Sequence, residues 1–168
     1  DVIRHFVNIA MAGLAGDIVR TMERSGKPLG GAASYLAVSL AHLARSRARL
    51  IRLRVDGKSL PDESYHLLAL ANTSTTGGGM RIAPGADAQD GLLELIGVGD
   101  LSRLRLLWNF PKIYAGTHFS VPGIAKSKAS LVEATSNEPV PLNIDGEPLG
   151  GLPARFEVLS RALPILIP

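Results

Sequence analysis

Residues 50–57 read LIRLRVDG, and this stretch decides the class of fold. Apolar and basic side chains alternate with period two through position 55, the pattern of a strand with one face in a core and one in water. Asp56-Gly57 then supplies the dipeptide of a tight hairpin turn. Toward the C-terminus the same grammar repeats. Runs at 65–71, 92–98, 130–135, 140–144, 155–159 and 165–167 read as short strands with Gly, Pro and Asp-Gly signals between them. Toward the N-terminus, residues 6–12 (FVNIAMA) read as a buried strand. Residues 17–24 read as a short helix with Asp17 as N-cap or first-turn acid, stopped by Ser25-Gly26. A second helix is expected over 32–47, with Arg45, Arg47 and Arg49 crowding its end. A third is expected over 101–110, N-capped by Asp100 and ended or kinked by Pro111. Many short strands and few helices predict a mainly β (α+β) domain, an antiparallel β-sandwich with helices packed on one end or face.

The 168 residues suit one domain, 1–168, long enough to bury roughly 70% of its unfolded surface without staples. Hydrophobic residues at 46% and charged residues at 20% exclude a disordered chain. The absence of cysteine excludes disulfides and thiolate metal sites and suits a reducing cytosol. The apolar runs fall short of the ~20 residues that span a bilayer, and no signal-peptide pattern opens the chain. A soluble, cytoplasmic domain is therefore expected. Its net charge of +3 allows mild attraction to anionic lipid or phosphate, hence peripheral membrane contact. No aromatic–basic interleaving or recognition helix points to nucleic acid. The chain enters an apparent strand directly from Asp1, with no methionine, as a piece cut from a longer protein would.

Most catalytic constellations are missing. His5, His42, His66 and His118 are scattered without metal-ligand spacing, and there is no G-x-S-x-G elbow, Walker loop or dinucleotide fingerprint. Gly77-Gly78-Gly79 is a weak phosphate-loop signal, more readily a sharp backbone crossing where no side chain fits. Three Asp-Gly pairs remain. Asp56-Gly57 reads as an ordinary turn. Asp87 and Asp90 flank a turn that could aim carboxylates and carbonyls at a hard cation such as Mg²⁺. Asp145 and Glu147, either side of Gly146 at a strand end, could bind metal or take a proton from a substrate hydroxyl.

In order along the chain, these pieces resemble the diacylglycerol/sphingosine kinase family, which includes soluble bacterial lipid kinases. The motifs are Ala71-Asn72, then Gly77-Gly78-Gly79-Met80-Arg81-Ile82-Ala83-Pro84, Ala86 and Asp90-Gly91-Leu92-Leu93-Glu94-Leu95. Asp145-Gly146-Glu147, Arg155-Phe156-Glu157-Val158 and the apolar close at 162–168 resemble the end of the same domain. Phe6-Val7-Asn8 with Gly13, and Ser34-Tyr35-Leu36, match its beginning more loosely. The resemblance implies a C-terminal β-sandwich of the lipid kinase/NAD kinase-like architecture, with the active site in a cleft against an N-terminal ATP-binding domain. It implies phosphorylation of a diacylglycerol-like lipid hydroxyl, with ATP as co-substrate and Mg²⁺ as cofactor. Glu147 matches the family's proton acceptor and Asp145 its acidic neighbour. Asp90 matches a structural Mg²⁺ ligand, with Asp87 and Leu92 contributing through the loop. The family's nucleotide loop, GGDGT, is nowhere in the sequence, so ATP would be held by the absent domain and this chain alone should be inactive. Asn72 to Thr76 also replaces the more aromatic stretch often found before the glycines. A non-catalytic lipid- or protein-binding sandwich and an NAD-kinase-like relative are the alternatives.

Overall fold

A computed structural model describes residues 2–25 and 31–163. The expected strand at 165–167, Gly26 of the first helix stop and most of the apolar close at 162–168 lie outside them. Among the described residues the chain runs β1 (Ile9–Gly13), α1 (Leu14–Ser25), α2 (Gly31–Arg45), β2 (Arg49–Val55), β3 (Lys58–Ser59), β4 (Glu63–Ala71) and β5 (Leu93–Gly99). It continues through α3 (Arg103–Asn109), α4 (Lys112–Ala115), a 3₁₀ turn (His118–Ser120), β6 (Ile124–Ala129), β7 (Leu131–Thr135), β8 (Pro141–Ile144), β9 (Glu147–Gly151) and β10 (Ala154–Glu157).

Every strand pairing is antiparallel. β4 lies at the centre: β5 runs along one edge, and β2 and β1 share the other. β2 leaves β4 after Ile51 and pairs with β7 from Arg52 to Val55, which curls the sheet into a sandwich. Ala10, Ala12, Leu68, Leu70, Leu93 and Leu95 face inward onto Ile51, Leu53, Val132 and Phe156. The alternate residues Ile9, Met11, Ala69, Ala71 and Ile96 face the other side, beneath Ile82 and Ala83. A third cluster, Leu43, Leu101, Leu106 and Val121, lies where α2 and α3 meet. Both faces of the central strands are thus covered, which is why 9–12 and 67–71 read as unbroken apolar runs. Leu68 and Leu70 are fully buried, each worth roughly 1.5–3 kcal/mol of transfer from water. α1 sits close on β8 because Gly16 lacks a Cβ, which would lie 2.5 Å from the Pro141 carbonyl oxygen. Asp17 is the first-turn acid of α1 and pairs with Arg49 at 2.9 Å.

The structure departs from expectation in particular places. Residues 6–8 are not strand, because the backbone N–H groups at Val7 and Asn8 serve a side chain rather than a ladder. Asp100 does not cap α3. Ser102 does, its hydroxyl accepting the Arg105 N–H at 3.4 Å, while Asp100 turns toward His66. Pro111 ends α3 and the short α4 follows. β6 (IAKSKA) and β9 (EPLGG) were missed: one offers only small and lysine side chains, the other Pro and Gly. Both are peripheral, each pairing with one strand, where lysine, proline and glycine are tolerated.

Register decides which loops meet. Ile9 opposes Ala71, Ala71 opposes Glu94, and Ala10 opposes Ile144. The start of β1, the end of β4, the start of β5 and the end of β8 therefore share one end of the sheet. Asp87, Asp90, Leu92, Asp145 and Glu147 all come from loops or strand starts at that end. α1 and α3 depart from the other.

Candidate functional site

The turn between β8 and β9 is held by its own residues. Asp145 has φ 48° and Gly146 φ 93°, left-handed values that Asp tolerates and Gly adopts freely. The Gly146 N–H donates to Oδ1 of Asn143, an asparagine buried to 1% exposure. The Asp145 carboxylate accepts three backbone N–H groups, from Val7 at 2.8 Å, Asn8 at 3.1 Å and Ile9 at 2.8 Å. Asn72 donates from its side chain to the Val7 carbonyl, and the Thr73 hydroxyl donates to Asn8. Asp145 thus fastens the entry of β1 to the β8–β9 turn. Glu147, first residue of β9, is exposed, and its carboxylate makes no hydrogen bond or ion pair among the described residues. The two acids flank one turn, and their surroundings differ. Asn143 was missed by sequence reasoning; a lone asparagine within an apolar strand just before Asp-Gly was the available signal.

The Asp90 loop is likewise satisfied from within. Asp90 Oδ1 accepts the Leu92 N–H at 2.9 Å, and Oδ2 lies 2.6 Å from the Lys128 ammonium on β6. Lys128 also reaches buried Glu94, at 3.7 Å. Asp87 Oδ1 accepts the Gln89 N–H at 2.9 Å. The Lys128 hydrogen bond, then the Leu92 N–H, hold the Asp90 carboxyl below its usual range, and Asp90 in turn raises the lysine. Mg²⁺ demands near-octahedral oxygen donors. Here the Lys128 ammonium stands against the Asp90 carboxylate, and no group of three His, Cys, Asp or Glu side chains lies together among the described residues.

On the helical face of the sheet lies a cavity of about 120 Å³. Met11 and Ile96 form its floor, and Tyr35, Met80, Leu106 and Phe110 its walls. An apolar cavity of roughly 150 Å³ is known to stay dry and take up hydrocarbon, so this one is suited to alkyl matter. Met80 is planted in the wall by the glycine loop. Thr76 and Met80 exchange backbone hydrogen bonds at 2.9 and 3.0 Å, and Gly78 and Gly79, at φ 70° and 85°, make the crossing. The phosphate-loop signal is thereby absorbed as a backbone turn. His118 is buried against the cavity, its Nε2–H donating to the Ile82 carbonyl at 3.1 Å and its Nδ1 without a hydrogen-bond partner among the described residues. Burial pushes its pKa down, keeping the imidazole neutral with one acceptor to spare. The cavity and the acidic turn share β1: Ile9, held by Asp145, and Met11 lie about 7 Å apart along the strand.

The curled antiparallel sheet, with its acidic turn at one end and apolar cavity under the helices, is the C-terminal sandwich of NAD-kinase-like proteins. The family model described as the YegS C-terminal NAD kinase beta sandwich-like domain matches residues 8–167, and the chain belongs to that family. It is 32% identical over 165 residues to a diacylglycerol kinase of Mycobacterium tuberculosis, covering 97% of this chain and 52% of that protein. To a diacylglycerol kinase of Bacillus subtilis it is 26% identical, covering 98% of this chain and 54% of the other. The chain thus spans about half the length of the curated relatives it matches. A crystal structure of a diacylglycerol kinase from Bacillus anthracis str. Sterne superimposes with a TM-score of 0.66 at 20% identity, over 94% of this chain and 50% of that one. That likeness bears on the fold. No helix among the described residues is long and apolar enough to cross a membrane.

Proposed function

We propose that this domain is the lipid-holding and proton-accepting half of an ATP-dependent kinase that phosphorylates a diacylglycerol-like alcohol. The observation that carries the reading is the almost wholly apolar cavity, adjacent on β1 to the residue that anchors the acidic turn. An alkyl chain would lie in the cavity, with its hydroxyl toward Glu147. The hydroxyl oxygen attacks the γ-phosphorus of ATP, the bond to the ADP oxygen breaks, and the hydroxyl proton passes to the Glu147 carboxylate. Glu147 suits the task because its carboxylate is unengaged. Asp145 positions it by fixing the turn, since both Asp145 oxygens are already occupied. ATP and its accompanying Mg²⁺ complete the reading, and no described residue is assigned to either.

The test is turnover of a full-length enzyme containing this domain, with saturating ATP and diacylglycerol. Glu147→Gln should keep the wild-type melting curve and lower turnover at least ten-fold, a conservative floor beneath the roughly 10²–10⁴ range of general-base catalysis. Near-wild-type turnover, or phosphorylation of NAD in place of lipid, would overturn the assignment.

A further inference from the structure

α3 turns two faces to two environments. Leu106 packs inward with Leu43 and Leu101, and Arg105, Asn109 and Phe110 help line the cavity. Leu104 and Trp108, one turn apart on the same face, point away from the protein at 80% and 86% exposure. Trp is highly buried on average, so a tryptophan almost fully in water beside an equally exposed leucine needs a partner. On α2, Leu36 and Leu40 are exposed at 41% and 38%, while Leu43, further along the same helix, is buried against Leu106.

The charges around this face indicate what that partner is. α2, α3 and α4 carry Arg45, Arg103, Arg105 and Lys112 and not one carboxylate, in a chain whose 18 basic and 15 acidic residues otherwise nearly balance. None of these four cations makes an ion pair among the described residues. Arg103 donates to the Ser46 carbonyl and Lys112 to the Ser120 hydroxyl, contacts that leave their charges uncompensated. Asp100, before α3, is the nearest acid in sequence, and it turns toward His66. An amphipathic helix with leucine and tryptophan outward and a cationic surround is the makeup of an interfacial helix on anionic lipid. Tryptophan favours the headgroup boundary because its ring is apolar and its N–H can stay wet.

We propose that α3 docks this domain on an anionic bilayer surface, inserting Leu104 and Trp108 at the headgroup–acyl boundary while Arg103, Arg105 and Lys112 face lipid phosphates. The inference rests on the lipid-kinase reading for its choice of a bilayer as partner, since a substrate lipid would have to pass from the bilayer to the cavity on the inner side of the same helix.

Trp108 is the sole tryptophan of the chain, so its fluorescence reports on this face alone. In the 168-residue chain its emission should shift to the blue on vesicles of phosphatidylcholine with phosphatidylglycerol, and brominated acyl chains should quench it. Added salt should weaken the effect, as exposed charges are screened over about 10 Å at 0.1 M. In co-sedimentation, Leu104→Ser/Trp108→Ser should lower vesicle affinity roughly ten-fold or more, the scale of losing buried apolar side chains, with an unchanged melting curve. An unmoved emission maximum, equal sedimentation of the two proteins, or equal uptake by neutral vesicles overturns the proposal. So does a concentration-dependent shift without vesicles that vanishes in Leu104→Ser, which would assign the face to a second copy of the chain. Because the readout is binding, docking with an active Glu147→Gln enzyme would sink the catalytic reading and leave this one standing.

Discussion

Asp56 and Asp145 share a backbone conformation, φ 46° and 48°, each followed by a glycine at positive φ. Each uses its carboxylate to collect donors from a distant segment. Asp56 accepts the N–H groups of Ser130 and Leu131 and the Ser130 hydroxyl, tying the β2–β3 turn to β7. The Ser130 hydroxyl, then the Leu131 N–H, hold its carboxyl below the usual range. With the folded pKa depressed, this contribution is complete above the unfolded value near ~3.9 and is lost as pH falls through the folded value. Denaturant melts of wild type and Asp56→Asn should therefore differ at neutral pH and converge below about pH 4; a pH-independent gap would refute the charge assignment. Asp90 titrates in the same direction, with Lys128 as its main cause. Mg²⁺ should accordingly leave the melting temperature of the wild-type chain unchanged. It should raise that of Lys128→Met, where the ammonium no longer occupies the carboxylate. A Mg²⁺ shift in wild type, lost in Asp90→Ala, would restore the metal site that the sequence motif implies.

Helix α3 shows how an element can be located from sequence while its end is misassigned. Asp100 and Ser102 are both good N-cap residues, two positions apart, and local preference does not choose between them. The choice is made by His66, which lies within 3.7 Å of Asp100, and by the Leu101 carbonyl, which accepts from the same imidazole. Ser102→Ala should cost about 1 kcal/mol of unfolding free energy, while Asp100→Ala, exposed and away from the helix N–H groups, should cost much less. Urea unfolding of the two variants checks this, and equal losses would return the cap to Asp100. The edge strands β6 and β9 carry a similar lesson. Their lysine, proline and glycine content reads as loop, yet an edge tolerates it because only one side of the strand has a ladder to complete.

At the scale of the whole molecule, the sheet keeps its two faces apart in chemistry. The inner face is a closed sandwich core, and the outer face, roofed by α1 to α4, retains a cavity. Ala15 of α1 lines it at 6% exposure. Ala15→Leu adds three carbons toward the cavity, and leucine stands close behind alanine in helix propensity, so the melting temperature should change little where the cavity takes up the added volume. In the full-length enzyme the KM for long-chain diacylglycerol should rise roughly ten-fold or more, with a smaller effect on short-chain substrates, if the cavity holds acyl chain. Equal changes for both chain lengths would place the chain elsewhere.

What the sequence by itself determined is whatever depends on near neighbours. Period-two alternation placed β2, Asp-Gly placed the turns at 56–57 and 145–146, and the ordered GGGM-IAP and DGE motifs placed the family, because backbone preference and motif spacing act over a few residues. The division of labour at the site was not legible in this way. By spacing alone Asp145 and Glu147 look equivalent, and only the family resemblance separates them. Only the fold shows that Asp145 is saturated by N–H groups 136 to 138 residues away, while Glu147 has none. Lys128 reaches Asp90 across 38 residues because β5 and β6 pair, and the cavity is enclosed by residues that α1 to α4 and the sheet bring together. A carboxylate's function follows from which donors reach it, and those donors are delivered by strand register, a long-range property that no local pattern encodes.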